Sequence, residues 1–328
     1  MRAFALALIA ATSLLAPATL SAQAPTAAPT FTVSDADLGP HPTLIVYGDQ
    51  RFHDPADTAP ADTAPANPAA RKALVDRIAQ LHPSAVQLSG DLPYHGSDPA
   101  DYAVFRAETE PWRAAHLRIY PALGNHELYK EPEAGLAAWW KAFPELNGMR
   151  WYSVALGSHI RLVQLDSVSS LLDASPQRAW LDEQLKALPP TVDYVLLCLH
   201  HPPVADIQSR IEVDHNPRPN ELALRDYLTE LRKHTHAEFL VAAGHIHNYE
   251  RASFGGITYL VSGGGGAHPY PVDRTTQDQY LTLDFPNFHY VLLELQNDKL
   301  KATMYRLADP SAPTPTWQER DHFNLNKR

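Results

Sequence analysis

Five short apolar runs in this chain each lead to a residue able to hold a cation. Residues 43–47 lead to Asp49, 85–89 to Asp91, 117–123 to Asn125, 194–199 to His200 and 239–243 to His245. Apolar runs of this length, punctuated by glycine, read as buried strands. Helical spacing lies between them. Leu74, Ile78 and Leu81 share one face over 69–81, and a helix over 98–115 opens with Asp98 placed to cap it and Pro99 at its first position. Further helices are expected over 175–188 and 219–233. A paired hairpin is expected over 151–156 and 160–165, and strands over 257–261, 290–295 and 301–305. Alternating strands and helices predict an α/β protein. In such a sheet, side chains at the carboxyl ends of strands converge on one crevice.

Composition narrows the class. Lys and Arg number 27 against 37 Asp and Glu, a net charge of −10. That surplus of acid argues against nucleic-acid binding by counterion release and against docking on anionic lipid. The one cysteine, Cys198, excludes an internal disulfide, and its apolar strand makes it a core residue. At the start, Arg2, an apolar run over 3–15 and the small-x-small site Ala22-Gln23-Ala24 predict a signal peptide over 1–24. The run is too short to serve as a stable membrane anchor, so the protein is expected to be exported, periplasmic or secreted. Residues 25–42 are expected to be a disordered leader, 43–308 one catalytic domain and 309–328 a C-terminal tail. A tandem PADTA repeat over 55–64 reads as a loop. Segments 52–68, 95–98, 128–148, 202–220 and 267–279 are expected as the loops that shape the substrate pocket.

The residues around the strand ends form ordered blocks: Gly48-Asp49, then Gly90-Asp91-Leu92-Pro93-Tyr94, then Gly124-Asn125-His126-Glu127. His200-His201-Pro202 and the run Gly244-His245-Ile246-His247-Asn248-Tyr249-Glu250-Arg251 follow. This series resembles the calcineurin-like metallophosphoesterase superfamily over roughly residues 43–305, and within it the purple acid phosphatases most closely. The resemblance implies a four-layer sandwich of two mixed β-sheets flanked by helices. It also implies two metal ions and an acid phosphatase acting on small phosphomonoesters, with a metal-held hydroxide as the attacking group. A phosphodiesterase and a non-catalytic phosphate- or metal-binding protein are the alternatives.

By the same resemblance, one metal takes Asp49, Asp91, Tyr94 and His247, and the other takes Asp91, Asn125, His200 and His245. Asp91 is shared because a carboxylate offers two oxygens. A phenolate with two carboxylates is a hard, anionic set suited to Fe(III), and the more neutral second set suits Zn(II), Fe(II) or Mn(II). The superfamily's commoner first block is Asp-x-His, and this chain has Arg51 in the third place. Purple acid phosphatases lack that histidine too and supply the tyrosine, with His53 the rival to Tyr94 here. Arg51 is expected to face phosphate, since a guanidinium matches its oxygens. His126 is expected to protonate the leaving oxygen. His201, one residue past a strand-end ligand, should point away from His200 and pack or bind substrate. Asp166 is a candidate to orient a ligand histidine, and Gly263 to Gly266 a tight backbone passage beside the metals.

Overall fold

A computed structural model of the protein describes residues 28–56, 65–206, 215–297 and 299–328. The expected signal peptide and most of the PADTA repeat lie outside them. Two mixed sheets pack face to face. One runs β1 (Phe31–Val33), β5 (Tyr152–Leu156), β6 (Ile160–Gln164), β7 (Tyr194–Cys198), β8 (Glu238–Ala243), β10 (Ile257–Ser262) and β9 (Tyr249–Phe254). The other runs β13 (Trp317–Asn326), β12 (Lys299–Leu307), β11 (His289–Gln296), β2 (Thr43–Tyr47), β3 (Ala85–Leu88) and β4 (Ile119–Pro121).

The alternation of side chains along a strand builds the layers. On β7, Leu196 and Cys198 face the core shared between the sheets. Val195 and Leu197 face a second core. That core is closed by Trp180, Leu181 and Leu185 of α6 (Pro176–Lys186) and by Leu224 and Leu228 of α7 (Pro219–Leu231). Each such fully buried side chain contributes roughly 1.5–3 kcal/mol. On the other side, α2 (Pro68–Leu81), α3 (Pro99–Glu108), α4 (Glu110–Ala114) and α5 (Pro132–Ala142) supply Leu74, Phe105, Trp112 and Trp139 to the first core. The Trp112 indole donates to the Val75 carbonyl at 3.0 Å, locking α4 to α2. Among the described residues, no helix is long and apolar enough to cross a membrane.

Several boundaries depart from expectation. The leader is not wholly irregular, because Phe31–Val33 pairs in parallel with β5 and is followed by the short helix α1 (Asp35–Leu38). The tail holds a ten-residue strand, β13, whose Leu325 is buried while its other side faces solvent. The single helix expected over 98–115 breaks at Thr109, because Pro111 has no N–H to give to the preceding turn. Residues 128–148 are not all loop: Pro132 starts α5, which buries Trp139.

The two sheets meet where β2 and β10 end. The Gly48 N–H donates to the Ser262 carbonyl at 2.8 Å, and the Gly265 N–H to the Gly48 carbonyl at 2.9 Å. A Cβ on Gly265 would stand 2.2 Å from that same Gly48 oxygen, so only glycine lets the strands close here. The glycine run is thus the tight passage the sequence suggests.

Candidate metal centre

The ends of β2, β3, β7 and β8 deliver Asp49, Asp91, His200 and His245 to one buried crevice at the meeting of the sheets. Three of these residues have left-handed backbones, with φ of 63° at Asp49, 56° at Asp91 and 72° at His245. That geometry turns the chain sharply at the strand end and sends the side chain into the crevice. Asp and His tolerate it better than β-branched residues, at some cost in strain.

The second cation position is a convergence of lone pairs on His200 Nε2. His200 Nδ1 donates to the Ser89 carbonyl at 2.9 Å, which fixes the ring. Nε2 then lies 3.2 Å from Asp91 Oδ2, 3.0 Å from Asn125 Oδ1 and 3.2 Å from His245 Nδ1. Burial works against charging His200, but Asp91 and Asp49 overcome it and raise its pKa to about 9. A cation would take over the positive charge that His200 otherwise keeps beside Asp91. The four expected residues of this position are together, and the donor set fits a metal ion.

The first position has the expected atoms and an extra charge. His247 Nδ1 donates to the His268 carbonyl at 2.5 Å, so Nε2 is free to face Asp49 Oδ1 at 3.5 Å. Asp49 Oδ1 is buried without a hydrogen-bond partner, while Oδ2 accepts the His245 N–H at 2.9 Å. Burial pushes the Asp49 carboxyl up to about 7. Into this group reaches Arg51, whose Nη2 is 2.8 Å from Asp91 Oδ2 and 3.4 Å from His247 Nε2. Burial would raise the Asp91 pKa, but His200 and Arg51 hold it well below the usual range. With the guanidinium in this place, Asp91 Oδ2 and His247 Nε2 already face a positive charge where a second metal ion would sit.

Tyr94 lies beside this group. Its ring stacks on His126 at 5.4 Å and 28°, with the Arg51 guanidinium carbon 5.9 Å from the ring centre. The rival, His53, instead turns Nδ1 to the Arg51 carbonyl at 3.0 Å. His126 is held by its Nδ1 on the Tyr94 carbonyl at 2.6 Å and by stacking on Tyr129. Burial lowers its pKa to about 4.

Two expectations need correction. His201 does not point away from His200, since the two rings meet edge to face at 5.0 Å, the His245 ring lies 4.4 Å off and Nδ1 meets Ser167 Oγ at 2.8 Å. The strand ends at Cys198, so alternation no longer governs residue 201. Asp166 orients no ligand histidine. It accepts from Val168 and Ser169 and pairs with Arg150 at 2.7 Å, while backbone carbonyls orient His200 and His247.

Sequence reasoning missed the supports. Glu127 accepts three backbone N–H groups, from Leu92 at 2.7 Å, Gly124 at 2.7 Å and Asp91 at 3.0 Å. Its only signal was its place after His126. Tyr270 stacks on His247 at 4.2 Å, and His215 lies 4.8 Å from His245, both carried in by loops.

Glu250, in the last block, is buried beside Asp206. Its Oε2 accepts the Asp206 N–H at 2.7 Å, and Oε1 has no partner. Burial raises its pKa from 4.5 to about 8, so the folded protein binds this proton more tightly than the unfolded chain. Its contribution to stability is present at low pH and is lost as pH rises from about 4.5 through about 8. Glu250→Gln should flatten the fall of Tm over that window, and an unchanged slope would show that Glu250 is not the group responsible.

Comparison with known proteins identifies the family. The sequence profile of the calcineurin-like phosphoesterase family matches residues 37–249. A phosphoenolpyruvate phosphatase from Allium cepa is 25% identical over 172 residues, 49% of this chain and 34% of that protein. A cAMP/cGMP dual specificity phosphodiesterase from Mycobacterium tuberculosis is 28% identical over 234 residues, 67% of this chain and 64% of that protein. The chain therefore spans less than two thirds of either relative. A purple acid phosphatase from yellow lupin seeds superposes with a TM-score of 0.65 at 17% identity, over 88% of this chain and 54% of its own.

Proposed function

Because the chain belongs to the calcineurin-like phosphoesterase family, we propose that it is an exported, metal-dependent hydrolase of phosphate esters that prefers small phosphomonoesters. The observation that carries this is the convergence of Asp91 Oδ2, Asn125 Oδ1 and His245 Nδ1 on His200 Nε2, all within 3.2 Å. Export is supported by the Arg2, apolar-run and small-x-small pattern of the first 24 residues.

Asp91, Asn125, His200 and His245 would hold the cation of the second position. Two imidazole nitrogens, one amide oxygen and one carboxylate suit Zn(II), Fe(II) or Mn(II). Fe(III) would depend on the Tyr94 phenolate joining Asp49 and His247, and the packing of Tyr94 on His126 beside Arg51 favours a divalent ion instead. A bound cation supplies Lewis acidity, activating water and offsetting phosphoryl charge. The protein's own groups do the rest. Arg51 presents N–H donors that match phosphate oxygens. His201, His215 and Tyr270 wall the crevice and limit water. With His126 Nδ1 engaged by the Tyr94 carbonyl, Nε2 is the ring nitrogen that would serve the substrate. An anionic phosphate beside the ring opposes the effect of burial and favours the charged, proton-donating form.

The test pairs an alkyl phosphate with an aryl phosphate monoester and its diester, each with Zn(II) or Mn(II). His126→Ala should lose on the order of 10²–10⁴ in rate on the alkyl ester and less on the aryl one. An equal loss on both would make His126 a positioning residue. Absence of any hydrolysis by the unmodified, metal-loaded protein would remove the phosphoesterase reading. Diester preference is the second reading, favoured by the guanidinium in the first position, because a less positive site demands less charge on the substrate.

A further inference from the structure

Arg51 is held in the crevice by its own backbone. Its φ is 49°, a conformation that a long side chain rarely adopts. Three contacts fix it there. Its N–H donates to the Asp91 carbonyl at 3.1 Å, and its carbonyl accepts Arg71 Nη1 at 2.9 Å and meets His53 Nδ1 at 3.0 Å. Arg71 is in turn pinned by Glu108 at 2.6 Å. The result aims the guanidinium inward, with Nε 3.2 Å and Nη2 2.8 Å from Asp91 Oδ2. The other oxygen, Oδ1, is taken by the His126 N–H at 2.8 Å. Oδ2 is therefore the oxygen left to bridge two cations, and it already joins Arg51 on one side to the His200 position on the other.

We propose that Arg51 is the built-in cation of the first position, so that the protein holds one tightly bound metal ion, at the second position, paired with a guanidinium in place of a second ion. Its use in turnover rests on the phosphoesterase reading: phosphate oxygens would lie between the ion and the guanidinium. A guanidinium donates hydrogen bonds and neutralises charge, but it coordinates no water. It clamps the phosphate, and any activation of water falls to the single ion. Asp49 Oδ1 and His247 Nε2 are the atoms a second ion would claim if the guanidinium were absent.

The experiment is metal stoichiometry. Protein is loaded with Mn(II) or Zn(II), dialysed against metal-free buffer and analysed by plasma mass spectrometry. The unmodified protein should retain about one ion per chain, and Arg51→Gly about two, as in paired-metal sites. Glycine suits the left-handed backbone. If that variant does not fold, Arg51→His supplies a neutral ligand at the same place and should also retain the second ion. Two retained ions in the unmodified protein, or no gain in a folded variant, would overturn the assignment. Activity is read separately. One ion with no hydrolysis of either ester would remove the phosphoesterase reading and leave the Arg51 assignment standing, whereas two ions with full activity would do the reverse.

Discussion

Asp91→Ala should leave no measurable hydrolysis of phosphate esters, and the variant should surrender its cation on dialysis. Asp91 Oδ2 faces Arg51 at 2.8 Å and His200 at 3.2 Å, and Oδ1 holds the His126 N–H. Deleting the carboxylate would remove the proposed metal ligand, free the guanidinium and take away the main charge that keeps His200 protonated against burial. A metal ion contributes several kcal/mol of transition-state stabilisation, so its loss alone costs about 10³-fold in rate. Bound metal, kcat and thermal melting are measured on the same preparation, which separates loss of the site from loss of the fold. A variant that kept its ion and half its activity would show that Asp91 is not a ligand.

Glu127→Ala is expected to have the largest effect on stability. Its carboxylate closes three buried N–H groups from two different strand-end turns, those of β3 and β4. Burial, with Asp91 adding to it, raises the Glu127 pKa to about 7, against the lowering pull of the Leu92 N–H, His200 and the Gly124 N–H. Without the carboxylate, those donors have no partner. At about 1–3 kcal/mol each, partly relieved by entering water, the loss is roughly 3–5 kcal/mol, a fall in Tm on the order of 10 °C. Glu127→Gln is the sharper test. Its amide oxygen can stand in for Oε2 and accept the Asp91 and Gly124 N–H groups, while its NH₂ would face the Leu92 N–H, so it should fall between alanine and the wild type. A Tm within a degree or two of the parent for both variants would mean that the turns hold themselves.

The strand ends were legible because their cues are local: a buried run, a glycine and a polar residue in sequence. Asp49, Asp91, Asn125, His200, His245 and His247 all lie in the crevice that these cues suggest. The elements that escaped have weaker local signals. β13 is mostly polar on an exposed edge, and β1 is three residues long. α5 was masked by its flanking turns, although Pro132 marks its start. The direction of His201 was misread because alternation was carried past the end of β7. His215, His268 and Tyr270 reach the site from loops whose course depends on tertiary packing. Arg51 was visible as a residue, but its left-handed backbone, which decides where its charge goes, is a property of the folded turn.

Those left-handed turns set activity and durability against each other. At Asp49, Arg51, Asp91 and His245 the chain adopts a shape that glycine would hold with less strain. Selection for a hardier protein alone would drift each position toward glycine, and every step would remove a charge or a ligand from the crevice. Four of the nine left-handed non-glycine residues among the described ones lie in this crevice, and the surrounding cores supply the margin that tolerates them.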